Sequence, residues 1–382
     1  MRPLSITGGR VLLSADGLQP VRVALADGQI AAIDRAQSGW HFDATGLLVL
    51  PGIVDIHGDA FERQFQPRPG VDFPAELALL DTESQLLANG ITTAYHGVTL
   101  SWEPGLRSLG AWRALLDALA ARRWTCDMRV HLRWEAYNLD ALETALADIA
   151  AGRVHLVAFN DHTPSILRKI EDPVTGAKYS DRAGMSLAQF RTLASDIAAR
   201  AAEVADGLDR IGAAARTAGI PLASHDDDTL AVRAAFRARG GRICEFPMTE
   251  EVARAAHAAG DFVVMGSPNV VRGKSHIGWA SAARTAEDGI CTVLSSDYYY
   301  PAMLRAAVTL AGRGVLDIAR AWALVSANPA RAAGLPDRGS IAEGKRADLV
   351  IVDAATSRAV ATIVAGQIAH LTADASARLT VE

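Results

Sequence analysis

The stretch Pro51-Gly-Ile-Val-Asp-Ile-His-Gly-Asp59 decides how this chain is interpreted. It completes an apolar run, Leu47–Ile56, that predicts a buried strand. Because residues i and i+2 of a strand point to the same side, His57 and Asp59 can face the same ligand. An imidazole and a carboxylate together suit a divalent metal ion. A single pair of this kind is more often structural. The pair indicates a metal site only if other strands end in the same way.

Outward from this stretch, strand-like runs alternate with alanine-rich helical runs. This alternation implies a parallel sheet, and eight strands favour a closed barrel over an open doubly wound sheet. No Gly-x-Gly-x-x-Gly motif follows an early strand, which disfavours a dinucleotide-binding fold. We therefore predict an α/β fold with a (β/α)8 TIM-like barrel over residues 52–335. Its predicted strands are Leu47–Ile56, Ile91–Val98, Met128–Leu132, Val154–Phe159, Ile220–Ser224, Ile243–Phe246, Phe262–Met265 and Cys291–Leu294.

The two ends of the chain share a β-rich composition that the middle lacks. Their β-prone runs are Ile6–Leu13, Val21–Leu25, Gln29–Ile33, Ala347–Val352 and Thr362–Val364. Asp27-Gly28 is typical of a hairpin turn. Two separate terminal units would each have too little core to be stable alone. We therefore predict a small discontinuous β-sandwich domain that residues 1–51 and 336–382 form together.

Metal-binding types of side chain recur where the predicted barrel strands end. In a parallel barrel the carboxyl ends of all strands meet at one face, where active sites lie. Five strands that end in this way are hard to explain as packing, because unpaired buried carboxylates are costly. The side chains are His57 and Asp59, then His131, Arg133 and Glu135, then His162, then His225, and last Asp297.

Chemistry suggests a role for most of these residues. The expected ligands of one or two divalent ions are His57, Asp59, Glu135, His162, His225 and Asp297. Imidazole ligands dominate, which favours zinc above all, with manganese or iron possible, over magnesium. Asp297 is the expected catalytic base that takes a proton from the attacking water. Asp226 either orients the His225 imidazole or belongs to a solvated helix start.

Basic residues follow the same strand ends, in a chain that is acidic as a whole. Any one of them is more often a surface charge. As a set at one barrel face they favour a phosphorylated substrate. The expected substrate-binding residues are Arg63, Arg68, Arg133, Arg272, Lys274 and His276.

Ser165–Ser186 is the least regular part of the middle segment, polar and containing Gly176 and Gly184. Loops of this length in a compact domain are usually functional or mobile. We interpret it as a lid or substrate-contact loop, with a solvated insertion equally open. His96, at the end of the second strand, is a further candidate for substrate contact.

Composition excludes several classes of protein. The 382 residues suffice for a barrel and a smaller unit, and the net charge of −5 disfavours general nucleic-acid or membrane-surface binding. The sequence shows neither a signal peptide nor a membrane-spanning stretch, so we expect a cytoplasmic protein. Cys126, Cys244 and Cys291 form no Cys-x-x-Cys pair and are expected to be buried thiols. A homo-oligomer remains open.

The order of these motifs resembles that of the amidohydrolase superfamily. Leu50-Pro-Gly-Ile-Val-Asp-Ile-His57 is similar to its first-strand signature. Ser326-Ala-Asn-Pro-Ala-Arg331 and Gly339-Ser-Ile-Ala-Glu-Gly-Lys-Arg-Ala-Asp-Leu-Val350 are similar to its return into the β domain. The common His-x-His pair is His57-Gly-Asp59 here. No lysine stands clearly at a strand end as a carboxylated bridge, so we assign a bridging role to Glu135.

A closer resemblance covers nearly the whole chain, to the diphosphatase family of the carbon–phosphorus lyase pathway. Its motifs here are His57-Gly-Asp-Ala-Phe-Glu62, Pro67-Arg-Pro-Gly-Val71, Asn160-Asp-His-Thr-Pro164, Ala223-Ser-His-Asp-Asp226, Gly266-Ser-Pro-Asn-Val-Val-Arg-Gly273 and Leu294-Ser-Ser-Asp-Tyr298. That family hydrolyses α-D-ribose 1-methylphosphonate 5-triphosphate to the 5-phosphate and pyrophosphate. The resemblance implies two metal ions, a water that attacks a phosphoanhydride, and a small phosphorylated sugar phosphonate as substrate.

Two other functions remain open at this point. On the same barrel the protein could hydrolyse a C–N bond, as a deacetylase or cyclic amidase. Such a substrate would not need Arg63, Arg68, Arg272 and Lys274. A non-catalytic assembly subunit would be expected to have lost Asp297 or the histidines, and it has not.

Overall fold

The computed structural model describes residues 3–13, 17–35, 38–68, 70–273 and 282–381. The strands before the barrel are β1 Leu4–Thr7, β2 Arg10–Leu13, β3 Gly17–Gln19, β4 Val23–Ala26, β5 Gln29–Ile33, β6 Trp40–Asp43 and β7 Leu48–Pro51. The barrel strands are β8 Ile53–Gly58, β9 Ile91–Leu100, β10 Asp127–Glu135, β11 Leu156–Asn160, β12 Leu222–His225, β13 Ile243–Glu245, β14 Phe262–Gly266 and β15 Val293–Ser295. The last strands are β16 Leu349–Asp353, β17 Arg358–Val364, β18 Gln367–Leu371 and β19 Leu379–Val381.

Helices follow the strands throughout the middle of the chain. They are α1 Glu62–Phe65, α2 Ala75–Ala88, α3 Leu109–Ala120, α4 Leu142–Ala150, α5 Thr163–Lys169, α6 Pro173–Ala183, α7 Leu187–Ala198, α8 Val204–Thr217, α9 Leu230–Ala238, α10 Glu250–Ala258, α11 Ser267–Arg272, α12 Ala282–Glu287, α13 Ala302–Gly312, α14 Ile318–Ala323, α15 Ala327–Ala332 and α16 Ala373–Ser376. Short 3-10 helices occupy Gly105–Arg107, Leu139–Ala141 and Ala201–Glu203.

The strands β8 to β15 lie side by side in chain order, and each described pairing between them is parallel. Two backbone hydrogen bonds join the first and last strands. The amide of Asp297 donates to the carbonyl of His57 at 3.0 Å, and the amide of Asp59 donates to the carbonyl of Asp297 at 2.9 Å. The predicted barrel is therefore confirmed, and its closure brings the two ends of the predicted motif series into direct contact.

Both chain ends build the remaining two sheets. One sheet has the order β19-β6-β1-β4-β5, and the other has the order β18-β17-β16-β7-β2-β3. Each sheet therefore combines strands from the two ends, as predicted. Phe42 of the first sheet packs in one apolar cluster with Val49 and Ile351 of the second. Asp27 and Gly28, with φ of 50° and 81°, form the predicted turn between β4 and β5.

The apolar run Leu47–Ile56 is not one strand, which corrects the sequence prediction. Leu48–Pro51 pairs with β16 in a terminal sheet, and Ile53–Gly58 pairs with β9 in the barrel. The break falls at Gly52, where an added Cβ would lie 2.4 Å from the hydroxyl of Thr92. Ile6–Leu13 divides in the same way, into β1 and β2, because Gly8 adopts a φ of 76°.

Ser165–Ser186 is helical, so its interpretation as an irregular loop was wrong. Most of it lies in α5 and α6, and Ser186 caps α7. Ile166, Ile170 and Phe190 form a small apolar cluster of their own with Trp102. Arg182 of α6 also forms an ion pair with Glu103 in the loop after β9. These contacts anchor the helical pair beside the carboxyl end of β9.

Cys126, Cys244 and Cys291 are all buried and unpaired, as predicted. None of the helices in the described ranges combines the length and apolar character that a membrane crossing requires.

Candidate active site

The alternation of side chains along β10 determines which of them point into the barrel. Val130, Leu132 and Trp134 pack outward against the helices in a large apolar cluster. The alternate residues His131, Arg133 and Glu135 therefore face the barrel interior near its carboxyl end. All three are buried, with exposed fractions of 0%, 6% and 1%. The spacing of polar residues predicted from the sequence is thus realised as one inward-facing row.

Three of the inward side chains form a buried group that we call the inner cluster: His57, His131 and Glu245. Their ligand-type atoms all lie within 4.8 Å of one another. The Nδ1 atom of His57 is 2.9 Å from Oε2 of Glu245, and Nε2 of His131 is 3.7 Å from the same oxygen. Nδ1 of His131 also lies 3.0 Å from the carbonyl of Ile56. If Nδ1 donates there, the lone pair of Nε2 faces the barrel.

The inner cluster has the chemistry that a divalent ion requires. Burial lowers the pKa of His57 to about 3 and that of His131 to about 3, so both imidazoles are neutral at physiological pH. Neutral imidazole is the form that binds metal. Among the described residues, Nε2 of His57, Nε2 of His131 and Oε1 of Glu245 have no hydrogen-bond partner. Because buried polar atoms without partners are rare, the donor set fits a metal ion.

A second group, which we call the outer cluster, consists of His162, His225 and Asp226. Nε2 of His162 and Nε2 of His225 lie 3.6 Å and 3.5 Å from the carboxylate of Asp226. Burial opposes protonation of His162, but the carboxylates of Asp226 and Glu135 outweigh it and raise the pKa of His162 to about 9. This histidine is therefore cationic at neutral pH, unlike the histidines of the inner cluster.

Glu135 lies beside the outer cluster. Its Oε2 atom is 3.3 Å from Nδ1 of His162, and its Oε1 atom accepts hydrogen bonds from the amide and hydroxyl of Thr163. Among the described residues, it is the carboxylate of Glu245 that lies close to several imidazoles. These are the imidazoles of His57, His131 and His225. The structure therefore places Glu245 among three imidazoles and Glu135 beside one, that of His162.

The run Asp226-Asp227-Asp228 divides into three roles. Asp226 belongs to the outer cluster, with Oδ1 3.5 Å from Nε2 of His225. Asp227 is fully buried and accepts a hydrogen bond from Ser224 at 2.5 Å, which fixes the end of β12. Asp228 is exposed just before α9.

Asp297 lies two residues after the end of β15, with a φ of 54° in the left-handed region. Burial, together with the nearby charge of Asp59, raises the pKa of the Asp297 carboxyl to about 7. An added Cβ on Gly266 would lie 3.3 Å from Oδ2 of Asp297, so the glycine leaves room for this carboxylate. The preceding Ser296 donates to Asp55 at 2.5 Å and fixes the approach of the chain. Groups with a pKa near 7 are well suited to general base catalysis.

The predicted basic residues differ in how deeply they are buried. Arg133 is buried, with Nη2 2.8 Å from Nε2 of His225 and Nη1 3.4 Å from Oδ2 of Asp59. Arg63 and Arg272 are exposed, and both contact Tyr298, which follows Asp297 in the chain. Arg63 donates to the carbonyl of Tyr298, and Arg272 donates to its hydroxyl at 3.3 Å.

Several other predicted residues lie away from the two clusters or outside the described residues. Arg68 is exposed, and its backbone bridges to Val71 before α2. Lys274 and His276 lie outside the described residues. His96 is buried, and its ring packs at 5.1 Å against that of Phe61 among the outward-facing side chains of β9.

Sequence reasoning missed Glu245 and left His131 without a role. Glu245 ends a short strand, Ile243–Glu245, where it carries no repeated motif. The rule that selected His225 and Asp297, a polar residue at the end of a predicted barrel strand, would have selected it too. A further signal is visible only in the structure: Asp226, Phe246 and Asp297 all have positive φ, each within two residues of the end of a barrel strand. Such strained residues cluster at functional sites.

The barrel, the terminal sheets and a buried histidine–carboxylate site at the carboxyl end of the strands define one class of protein. The sequence model of the amidohydrolase family matches residues 48–378, and the chain belongs to that family of hydrolases. Alpha-D-ribose 1-methylphosphonate 5-triphosphate diphosphatase of Escherichia coli (strain K12) is 34% identical to this chain over 335 residues. The alignment covers 85% of this chain and 89% of that protein.

Solved structures of the same fold include enzymes of different specificity. A Xaa-Pro dipeptidase with bound methionine has a TM-score of 0.65 and 14% identity, over 96% of this chain and 99% of its own. The 5-methylcytosine deaminase from Klebsiella pneumoniae has a TM-score of 0.62 and 18% identity, over 96% of this chain and 97% of its own. At these identities the likeness shows the fold alone.

Proposed function

We propose that this protein is a metal-dependent diphosphatase that hydrolyses the phosphoanhydride of α-D-ribose 1-methylphosphonate 5-triphosphate and releases pyrophosphate, in phosphonate catabolism. The observation that carries the proposal is the placement of arginines at the same barrel end as a buried metal-type donor set. Arg133 lies inside this end, and Arg63 and Arg272 lie outside it, joined through Tyr298. The 34% identical diphosphatase of Escherichia coli supports the choice of substrate.

The residues of the inner cluster would hold the divalent ion. When bound, such an ion supplies Lewis-acid chemistry, because it lowers the pKa of the attacking water and neutralises phosphate charge. Zinc fits a donor set in which imidazole dominates, with manganese and iron as the alternatives. The ring of Phe246 lies 4.8 Å from that of His57 and packs against it edge to face.

Asp297 would act as the base in this reaction. Its raised pKa of about 7 lets it accept a proton from water near neutral pH and release it again. Arg133 would stabilise the negative charge that develops on the phosphoryl oxygens. Arg63 and Arg272 would bind the outer phosphates, where an exposed guanidinium pairs well with phosphate oxygens. The same arginines favour a polyphosphate over an uncharged amide.

The proposal is tested with purified protein, treated with a chelator and then reloaded with zinc, manganese, iron or magnesium. We expect phosphorus NMR to show pyrophosphate and a 5-phosphate product after reloading, and no product after chelation. A parallel assay with N-acetylated sugars and cyclic amides addresses the alternative of C–N hydrolysis. Turnover of an amide without pyrophosphate release from the triphosphate would contradict the proposal.

A further inference from the structure

Arg133 lies inside the barrel although it carries a permanent charge. Its exposed fraction is 6%, and among the described residues its Nε atom has no hydrogen-bond partner. Among those residues the guanidinium contacts one carboxylate, that of Asp59 at 3.4 Å, and one imidazole, that of His225 at 2.8 Å. A buried charge with so few partners is costly unless its position has a use.

The contact with His225 involves the atom that a metal ion would need. Because Nη2 of Arg133 can only donate, the imidazole of His225 carries its proton on Nδ1, which lies 3.3 Å from Oε2 of Glu245. Nε2 of His225 then has a lone pair, which accepts the hydrogen bond from Nη2 of Arg133 at 2.8 Å. The arginine and a cation therefore compete for the same lone pair. While Arg133 remains there, the outer cluster lacks one of its three ligands.

The inner cluster is open by comparison. Nε2 of His131 and Oε1 of Glu245 have no hydrogen-bond partner in the part of the chain that the structure describes. Both histidines of this cluster are buried, whereas His162 of the outer cluster is partly exposed. A cation entering the site thus finds ready ligands in one cluster and a guanidinium in the other.

Gly97 of β9 makes this arrangement of Arg133 possible. An added Cβ there would lie 3.3 Å from Cδ of Arg133 and 3.5 Å from Nε2 of His57. The backbone conformation of Gly97 does not require glycine, because its φ is not positive. Glycine at position 97 therefore leaves room for a neighbouring side chain. The aliphatic part of the Arg133 side chain fills that room.

We propose that the guanidinium of Arg133 takes the place of a second metal ion, so that the protein binds one divalent ion, in the inner cluster, beside a built-in positive charge. This inference rests on the proposed metal dependence but not on the identity of the substrate. It decides between the one and the two ions that the sequence left open. The positive charge in the site then comes from one metal ion and from the guanidinium of Arg133. A chelator can remove only the metal ion.

The test measures metal stoichiometry without substrate. The apo protein is titrated with zinc by calorimetry, and bound zinc is counted by elemental analysis after dialysis. We expect one ion per chain for the wild type and for Arg133→Lys, and two for Arg133→Met, which removes the charge but keeps much of the volume. Arg129→Met is the matched control, because Arg129 lies four residues earlier on β10 and binds Asp127 instead. It should bind one ion.

Two further variants locate the ion, and they test the inference even if Arg133→Met does not fold. His131→Ala should lower zinc affinity at least tenfold, whereas His162→Ala should change it less than twofold. Two ions in the wild type, one ion in a folded Arg133→Met, or loss of binding in His162→Ala alone would overturn the inference. A wild-type protein that binds no ion would contradict the proposed metal dependence as well. Pyrophosphate release is assayed separately, so a wrong substrate leaves these results intact.

Discussion

Nδ1 of His57 lies 2.9 Å from Oε2 of Glu245, although 188 residues separate the two in the chain. The same oxygen lies 3.3 Å from Nδ1 of His225, and the two imidazole rings stack with their centroids 5.0 Å apart. One buried carboxylate therefore orients two histidines. Residues that orient a metal-binding imidazole usually matter almost as much as the ligands themselves.

Replacing Glu245 with glutamine should weaken metal binding. The amide keeps the size of the side chain but removes the charge that holds both imidazoles, so we expect zinc affinity to fall by about 10- to 100-fold. Competition with a chromophoric chelator measures the affinity. Glu251→Gln, an exposed change at the start of α10, is the control and should leave affinity unchanged. Equal affinities of wild type and Glu245→Gln would exclude Glu245 from the site.

Asp297→Asn should separate catalysis from folding. Asparagine is nearly isosteric and tolerates the left-handed φ of 54°, but it is a far poorer base. We expect kcat to fall by at least about 10²-fold, with the melting temperature and substrate affinity largely kept. Asp228→Asn, in an exposed position, is the matched control. If the Asn variant turns over normally with unchanged metal content, Asp297 is not the base.

Arg272→Ala should weaken binding of a triphosphate. Loss of one guanidinium–phosphate contact corresponds to about 1.4 kcal/mol, so we expect KM to rise about tenfold with little change in kcat. Arg113→Ala, on the exposed surface of α3, serves as the control for removal of one positive charge. Steady-state kinetics with the triphosphate measures both. An unchanged KM would remove Arg272 from the substrate site.

Tyr298→Phe should reproduce part of the effect of Arg272→Ala. The change removes the hydroxyl that Arg272 contacts at 3.3 Å, but it keeps the carbonyl that Arg63 contacts. We expect an increase in KM of roughly two- to fivefold, consistent with loss of one modest hydrogen bond. The double variant with Arg272→Ala should show no further loss. Full additivity of the two changes would mean that Tyr298 acts independently of the arginine.

Gly97→Ala should disturb the site through packing alone. The added methyl group would crowd Cδ of Arg133 at 3.3 Å, and overpacking of this kind costs about 1–3 kcal/mol. We expect the free energy of unfolding to fall by that amount and kcat to fall with it. Gly110→Ala is the control, because its Cβ would meet only Ser108 Oγ, at 3.7 Å. A fully stable and active Gly97→Ala protein would show that the space beside Arg133 is not needed.

Local patterns in the sequence were enough to predict the architecture. Alternating apolar strands and alanine-rich helices indicate a parallel barrel, and the alternation within a strand indicates that His131, Arg133 and Glu135 share a face. The bounds of individual strands were not predicted as well. Leu47–Ile56 reads as one apolar run, and only its pairing with β16 on one side and β9 on the other shows that it is two strands. Hydrophobicity does not indicate which sheet buries a residue.

The sequence by itself therefore determined the barrel, the joint terminal sheets and the face at which His57, His225 and Asp297 meet, because side-chain period and strand order are local properties. Only the tertiary structure decided which of these side chains touch. Glu245 lies among three histidines, Glu135 lies beside Thr163, and Arg133 occupies the lone pair of His225. These contacts depend on distances between the ends of different strands, which are set when β15 closes on β8. No spacing within a single strand records them.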